Sequence, residues 1–163
     1  MKRVLFISNV PVPYRMEFFR QLSRYVDLTV IFEAQSGKFQ YNYDYNSTGF
    51  RVIFANKSGK KDLNVYRLEI KNNYNYIIVA DWLHSFATVS LLKIYRIPYY
   101  IEVDGAILHK DNLLKKLYKT YLIKGAKGYF STSNASDQYF IRYGAKKESI
   151  KRYPFSSVVD TEV

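Results

Sequence analysis

Val4-Leu5-Phe6-Ile7-Ser8-Asn9-Val10-Pro11-Val12-Pro13-Tyr14-Arg15-Met16-Glu17-Phe18-Phe19 is the stretch against which the rest of the chain is read. An unbroken apolar run, Val4 to Ile7, suits a strand buried on both faces, as in a parallel sheet covered by helices. Small polar residues follow, then a Pro-Val-Pro turn, then a helical pattern. Pro11 and Pro13 cannot donate to a sheet ladder, so they stiffen a loop ahead of a helix beginning near Tyr14. In an open parallel α/β sheet, ligands bind beyond the carboxyl ends of the strands. That rule places Ser8, Asn9, Tyr14 and Arg15 on the functional edge.

Working outward, strand and helix patterns alternate. Tyr14, Phe18, Phe19, Leu22 and Tyr25 recur at helical spacing, and Leu28 to Phe32 reads as a second strand ending at Glu33. Residues 35–49 break the rhythm with a tyrosine-rich loop, Tyr41 to Tyr45, that either stacks on a ligand or covers the sheet edge. Arg51 to Phe54 is a third strand, residues 57–61 a basic turn, and Asp62 to Lys71 a helix. Tyr76 to Ala80 is a fourth strand, running into Asp81-Trp82-Leu83-His84, and the helix from Ser85 to Tyr95 is expected to be buried. Tyr99 to Val103 is a fifth strand leading to Asp104-Gly105. Lys110 to Lys127 reads as a long amphipathic helix capped by Asp111 and stopped near Gly125. Gly128 to Ser131 is a sixth strand, followed by a helix capped by Ser133 or Asn134 and ended by Gly144. Residues 151–154 form a last strand or an extended exit. This order predicts an α/β fold: a Rossmann-like, doubly wound parallel sheet of six to seven strands with helices on both faces.

Composition narrows the chemistry. The 163 residues carry 25 Lys and Arg against 14 Asp and Glu, a formal net charge of +11. Such a balance points to a polyanionic partner, whether nucleic acid, an anionic lipid surface or a phosphorylated substrate, or else to compositional drift. The absence of cysteine excludes a disulfide framework, a thiolate zinc site and cysteine catalysis. No apolar run is long enough to span a bilayer, and Met1-Lys2-Arg3 leads straight into a strand rather than a secretory segment. The expectation is a cytoplasmic protein, at most peripheral at the inner face of the membrane. No dinucleotide fingerprint, P-loop or nucleophile elbow is present, and His84 and His109 have no partners spaced as zinc ligands, so no cofactor and no metal are expected.

The strand ends offer Asn9, Glu33, Asp81, His84, Glu102, Asp104 and Ser131. Asp104 stands out because the glycine after it lets a ligand approach the backbone. A carboxylate there is placed to take a proton from an attacking hydroxyl, although Asp-Gly is also a common turn. The lysines of the 110–127 helix, Lys115, Lys116 and Lys119 among them, suit either an anionic membrane surface or a solvated face.

Four places together resemble one family. Asn9 to Arg15 with Phe18, Phe19 and Leu22 is similar to the first loop of one branch of the family 4 (group 1) glycosyltransferases of GT-B architecture. Ile101-Glu102-Val103-Asp104-Gly105 resembles the fifth-strand end of that family. Ser131 to Ser133 with Tyr139 to Gly144 resembles the last strand and helix of its N-terminal half, and Tyr153-Pro154-Phe155 to Asp160 resembles the link into its second domain. The resemblance implies that residues 1–163 are the N-terminal acceptor-binding lobe, with the link starting near 152 and a donor-binding domain absent from this chain. It implies metal-independent, retaining transfer from a nucleotide-sugar to a glycan or lipid-linked acceptor in cell-surface polysaccharide synthesis. The fragment would be inactive alone. Asp104 falls where relatives often carry a histidine near the reacting centre; Asn9, Tyr14, Arg15, His84, Glu102 and Gly105 would line the acceptor site. Pro11 to Pro13 replace the glycine pair of many relatives, which suggests a different acceptor. The resemblance also makes Lys115, Lys116 and Lys119 membrane-facing. The alternative is a freestanding basic α/β module that binds nucleic acid, which asks for aromatic residues interleaved with Lys and Arg along one groove. Tyr41, Tyr43 and Tyr45 are its best candidates, but few cations lie near them.

Overall fold

The computed structural model describes residues 1–35, 44–57, 60–80, 86–106 and 110–153. Seven strands form a parallel sheet, giving the Rossmann-like α/β class expected. The chain divides between Ile77 and Ile78 into two compact units, which are taken in turn.

The first unit contains β1 (Arg3–Ser8), α1 (Pro13–Ser23), β2 (Asp27–Phe32), β3 (Arg51–Phe54), β4 (Asn56–Lys57), β5 (Lys60–Lys61) and α2 (Leu63–Ile70). Its parallel strands lie in the order β3-β2-β1, with Phe6 opposite Val30 and Val30 opposite Val52. Residues 4–8 of β1 are all buried, as a strand covered on both faces must be. Phe6 meets α1 edge-on, its ring 4.9 Å from Phe19 and 6.1 Å from Phe18. Phe19 reaches on to Phe32 and Phe50, each at 5.9 Å. These tilted contacts are the geometry aromatic quadrupoles favour, and they form the centre of this unit's core. Pro13 opens α1 where a missing N–H costs nothing. The basic turn expected over residues 57–61 is in fact a short hairpin, β4 against β5, with Asn56 opposite Lys61; residues 58–59 lie outside the described residues. Two-residue strands are too short to show a period of two. Asp62 then caps α2 by accepting from the Asn64 N–H at 2.9 Å.

The second unit carries most of β6 (Tyr76–Ala80, cut by the division after Ile77), α3 (Phe86–Ile94), β7 (Tyr100–Val103), α4 (Leu113–Ile123), β8 (Gly128–Ser131), α5 (Asn134–Arg142) and β9 (Ile150–Arg152). The strands are parallel in the order β6-β7-β8-β9. Tyr129 of β8 packs on Phe140 of α5 at 4.9 Å. Its hydroxyl donates to the Ile123 carbonyl at 2.8 Å, and Tyr99 donates to the Leu122 carbonyl at 3.3 Å. Tyrosines from the sheet thus satisfy carbonyls at the end of α4 that have no partner within the helix. Burial pushes the Tyr129 hydroxyl up to about 12. Ser133 caps α5 through the Ser136 N–H, and Gly144, at φ +101°, takes the left-handed position that closes it.

Two expectations need correction here. The helix expected over residues 110–127 spans only Leu113–Ile123, and its N-cap is Asn112, accepting from the Lys115 N–H at 2.9 Å, not Asp111. Asp111 instead accepts from Lys119 at 2.7 Å and from the Tyr143 hydroxyl, joining the start of α4 to the end of α5. The α3 helix, expected to be buried, hides only the face made by Thr88, Val89 and Leu92, while Phe86 and Ile94 are exposed.

The hydrogen bond from Lys119, then that from Tyr143, holds the Asp111 carboxyl below its ordinary value of 3.8. A carboxyl depressed on folding contributes stability above its unfolded value and loses it as pH falls through the folded one. The Asp111→Asn variant should therefore melt below wild type at pH 7, with the gap closing on acidification below about pH 4. Thermal melts of the two proteins across that range check this; a gap independent of pH would overturn it.

Candidate functional site

In the first unit the β1–β2 pairing runs past the strands: the Glu33 N–H donates to the Ser8 carbonyl at 2.9 Å and the Ala34 N–H to the Asn9 carbonyl at 3.0 Å. This holds Asn9, half-buried, at the carboxyl edge of the sheet. Tyr14, in the first turn of α1, is 37% exposed at the same end. Arg15 departs from expectation. It is 1% exposed, lies on the face of α1 that also buries Met16 and Phe19, and holds its guanidinium 5.9 Å from the centre of the Tyr14 ring. A positive charge that deep would be tolerated only with polar compensation. At the end of β2, Glu33 accepts from the Tyr66 hydroxyl at 3.5 Å, and burial, reinforced by the Glu33 charge, drives the Tyr66 pKa far upward.

In the second unit Asp104 follows β7 directly and is half-buried. Gly105, at φ +74°, turns the chain there, and a Cβ built on it would meet nothing within 4 Å. Asp104 thus precedes a position whose backbone conformation a side chain would strain and whose missing Cβ leaves room. Glu102 differs from its expected role. It is 2% exposed and accepts a hydrogen bond from the Tyr153 hydroxyl. Tyr153 is further held by its N–H on the Ser131 carbonyl at 2.9 Å and by an edge contact with Phe130 at 6.3 Å. Beside it, Arg152 pairs with Asp137 of α5. Glu102 is thus an anchor for the chain's exit from β9, a role invisible in sequence because the two partners stand 51 residues apart. Asp104 and Gly105 are brought together; His84 and the 41–43 part of the tyrosine loop lie outside the described residues, as does 154–163.

On α4, Lys115 and Lys116 are exposed, whereas Lys119 is largely covered. Its side chain is 13% exposed, paired with Asp111 and stacked over Tyr139 and Tyr143 at 5.4 and 5.1 Å. Among the described residues, no helix is long and apolar enough to cross a membrane, and no three His, Cys, Asp or Glu side chains gather as a metal would require.

No protein-family model and no curated protein matches this chain. Solved structures do. Anabaena Alr3699/HepE in complex with UDP and glucose superposes with a TM-score of 0.70 at 17% identity, over 95% of this chain and 44% of its own; the same protein was also solved with UDP-glucose. A UDP-N-acetylglucosamine 2-epimerase matches with a TM-score of 0.60 at 15% identity, covering 92% of this chain and 47% of its own. The lipopolysaccharide outer core galactosyltransferase WaaB, in its apo form, matches at 0.58 and 11% identity, over 91% and 44%. The chain therefore spans a little under half the length of these proteins. At such identities the likeness establishes the fold, and the chain has the Rossmann-like α/β fold of one half of these GT-B proteins.

Proposed function

We propose that this chain is the acceptor-binding lobe of a glycosyltransferase that moves a sugar from a nucleotide-sugar to a glycan or lipid-linked acceptor. The observation that carries the reading is the match of nearly the whole chain to a little under half of each neighbour, one of them a galactosyltransferase and another solved with UDP-glucose. Family 4 membership, retention of configuration, independence of metal and a part in cell-surface polysaccharide synthesis follow from the sequence resemblance. In this reading Asp104, beside the open backbone of Gly105, receives the proton of the attacking acceptor hydroxyl, while Asn9 and Tyr14 contact the acceptor. Glu102 and Arg15 support these positions from the interior, and the nucleotide-sugar is held by a second lobe.

The test is transfer by the protein made from its complete native reading frame, supplied with a panel of UDP- and GDP-sugars and lipid-linked acceptors. Glycosylated acceptor and free nucleoside diphosphate, appearing in equal amounts, are the expected products. Failure with every donor, together with salt-sensitive binding of single-stranded nucleic acid, would overturn the reading in favour of a nucleic-acid-binding module.

A further inference from the structure

Glu33, at the carboxyl end of β2, has no part in the reaction proposed above. It is half-buried, and three hydrogen bonds fix its place. Its own N–H donates to the Ser8 carbonyl, the Ala34 N–H donates to the Asn9 carbonyl, and its carboxylate accepts from the Tyr66 hydroxyl at 3.5 Å. Tyr66 is 0% exposed on the inner face of α2, so it reaches Glu33 from a packed base. The two backbone bonds keep Asn9 beside Glu33, about one strand spacing or 4.8 Å away. Both residues are half-buried at the edge where an open parallel sheet receives its ligand. One ligand seated there meets a carboxylate from β2 and an amide from the end of β1.

The chemistry of that pair selects the ligand. A carboxylate only accepts hydrogen bonds, and it has more acceptor sites than a single tyrosine hydroxyl fills. The Asn9 side chain both donates and accepts. A phosphate or an acidic sugar would set negative charge against Glu33. An ammonium would suit the carboxylate but leave the Asn9 amide with nothing to donate to. A sugar hydroxyl gives one hydrogen bond and takes others, so two adjacent hydroxyls satisfy both side chains at once. We propose that Glu33 is a specificity-determining residue of the acceptor site, accepting a hydrogen bond from one of two adjacent hydroxyls of a neutral sugar while Asn9 binds the other. The proposal rests on the glycosyltransferase reading and narrows it. The end of the acceptor held by β1 and β2 is an uncharged sugar with a free vicinal diol.

The experiment uses the protein made from its complete native reading frame, a neutral sugar acceptor, and its monodeoxy analogues, each lacking one hydroxyl. Glu33→Gln keeps the shape of the side chain and an oxygen for the Tyr66 hydroxyl but removes the charge. The expected result is a rise in acceptor KM of roughly tenfold to a hundredfold, the usual worth of a hydrogen bond to a charged group. The KM for the nucleotide-sugar and the melting temperature should match wild type. One monodeoxy acceptor should serve wild type and Glu33→Gln equally poorly, because the bond that separates the two proteins is already gone. An acidic sugar in place of the neutral one should be a poor acceptor for wild type and a better one for Glu33→Gln. An unchanged acceptor KM in Glu33→Gln overturns the assignment of Glu33. So does a loss of equal size with the parent sugar and every monodeoxy analogue, which would make Glu33 a partner of Tyr66 and nothing more. Either result leaves the glycosyltransferase reading in place, since it is measured on a wild type that transfers. No transfer by the wild type from any donor overturns both.

Discussion

Replacing Phe19 by alanine is expected to remove about 3–5 kcal/mol of stability, the range for a fully buried phenylalanine. Phe19 is 0% exposed and touches Phe6 of β1, Phe18 of its own helix, Phe32 of β2 and Phe50 beside β3. Alanine would strip one ring from four others, two of them fixed on β1 and β2, so the hole would close only in part by collapse. Against a total of roughly 5–15 kcal/mol for a domain, the loss is large enough to leave part of the protein unfolded at 37 °C. Phe18, half-buried on the same helix, is the control: Phe18→Ala should cost clearly less. Urea unfolding followed by circular dichroism measures both. Equal losses would mean that the aromatic cluster is not the centre of the first unit's core.

On the function proposed above, Asp104→Asn in the protein made from its complete reading frame is expected to cut sugar transfer by roughly 10²–10⁴-fold, the usual worth of a positioned general base, while leaving the melting temperature unchanged. The separation is possible because Asp104 sits past the end of β7, half-buried, next to a glycine with open space around it. Asparagine keeps the size and the turn propensity but cannot accept a proton at neutral pH. The loss should fall mainly on kcat. If transfer persists at the wild-type rate, Asp104 is a turn former, and the proton acceptor must be sought elsewhere.

The alternation of apolar strands with amphipathic helices made most of the fold legible. β3, β6 and β8 lie at the expected residues, because short apolar runs bounded by polar turns leave little choice of ends. The α4 helix was read less well, and for a physical reason. Helical periodicity shows that one face is apolar but not which way that face points. The spacing of α4 leaves open whether the apolar face packs on the core or faces outward, and the tertiary structure buries Leu122 and Ile123 while leaving Leu113, Leu114 and Leu117 exposed. Ion pairs hid in the same way: Lys119 looked like one of six similar lysines until Asp111 and Tyr143 closed on it. At the strand ends, Asn9, Tyr14 and Asp104 fall at the expected edges of their units, because a strand's end is set by local sequence. Arg15 is buried with Met16 and Phe19, the latter at i+4 on the same helix, so helical spacing already places it on that face, whereas nothing local to Glu102 reveals a tyrosine 51 residues away.

The bolting of Tyr153 and Arg152 has a mechanical consequence. A pull on the backbone at Tyr153 is shared among the Ser131 carbonyl, the Glu102 carboxylate and the Asp137 carboxylate, and so among β8, β7 and α5 at once. The Glu102 end of this truss stands two residues before Asp104, so a displacement at the chain's exit reaches the open end of β7 through one hydrogen bond and one short length of extended backbone. The Tyr153 hydroxyl thus ties the segment after β9 to β7 two residues before Asp104.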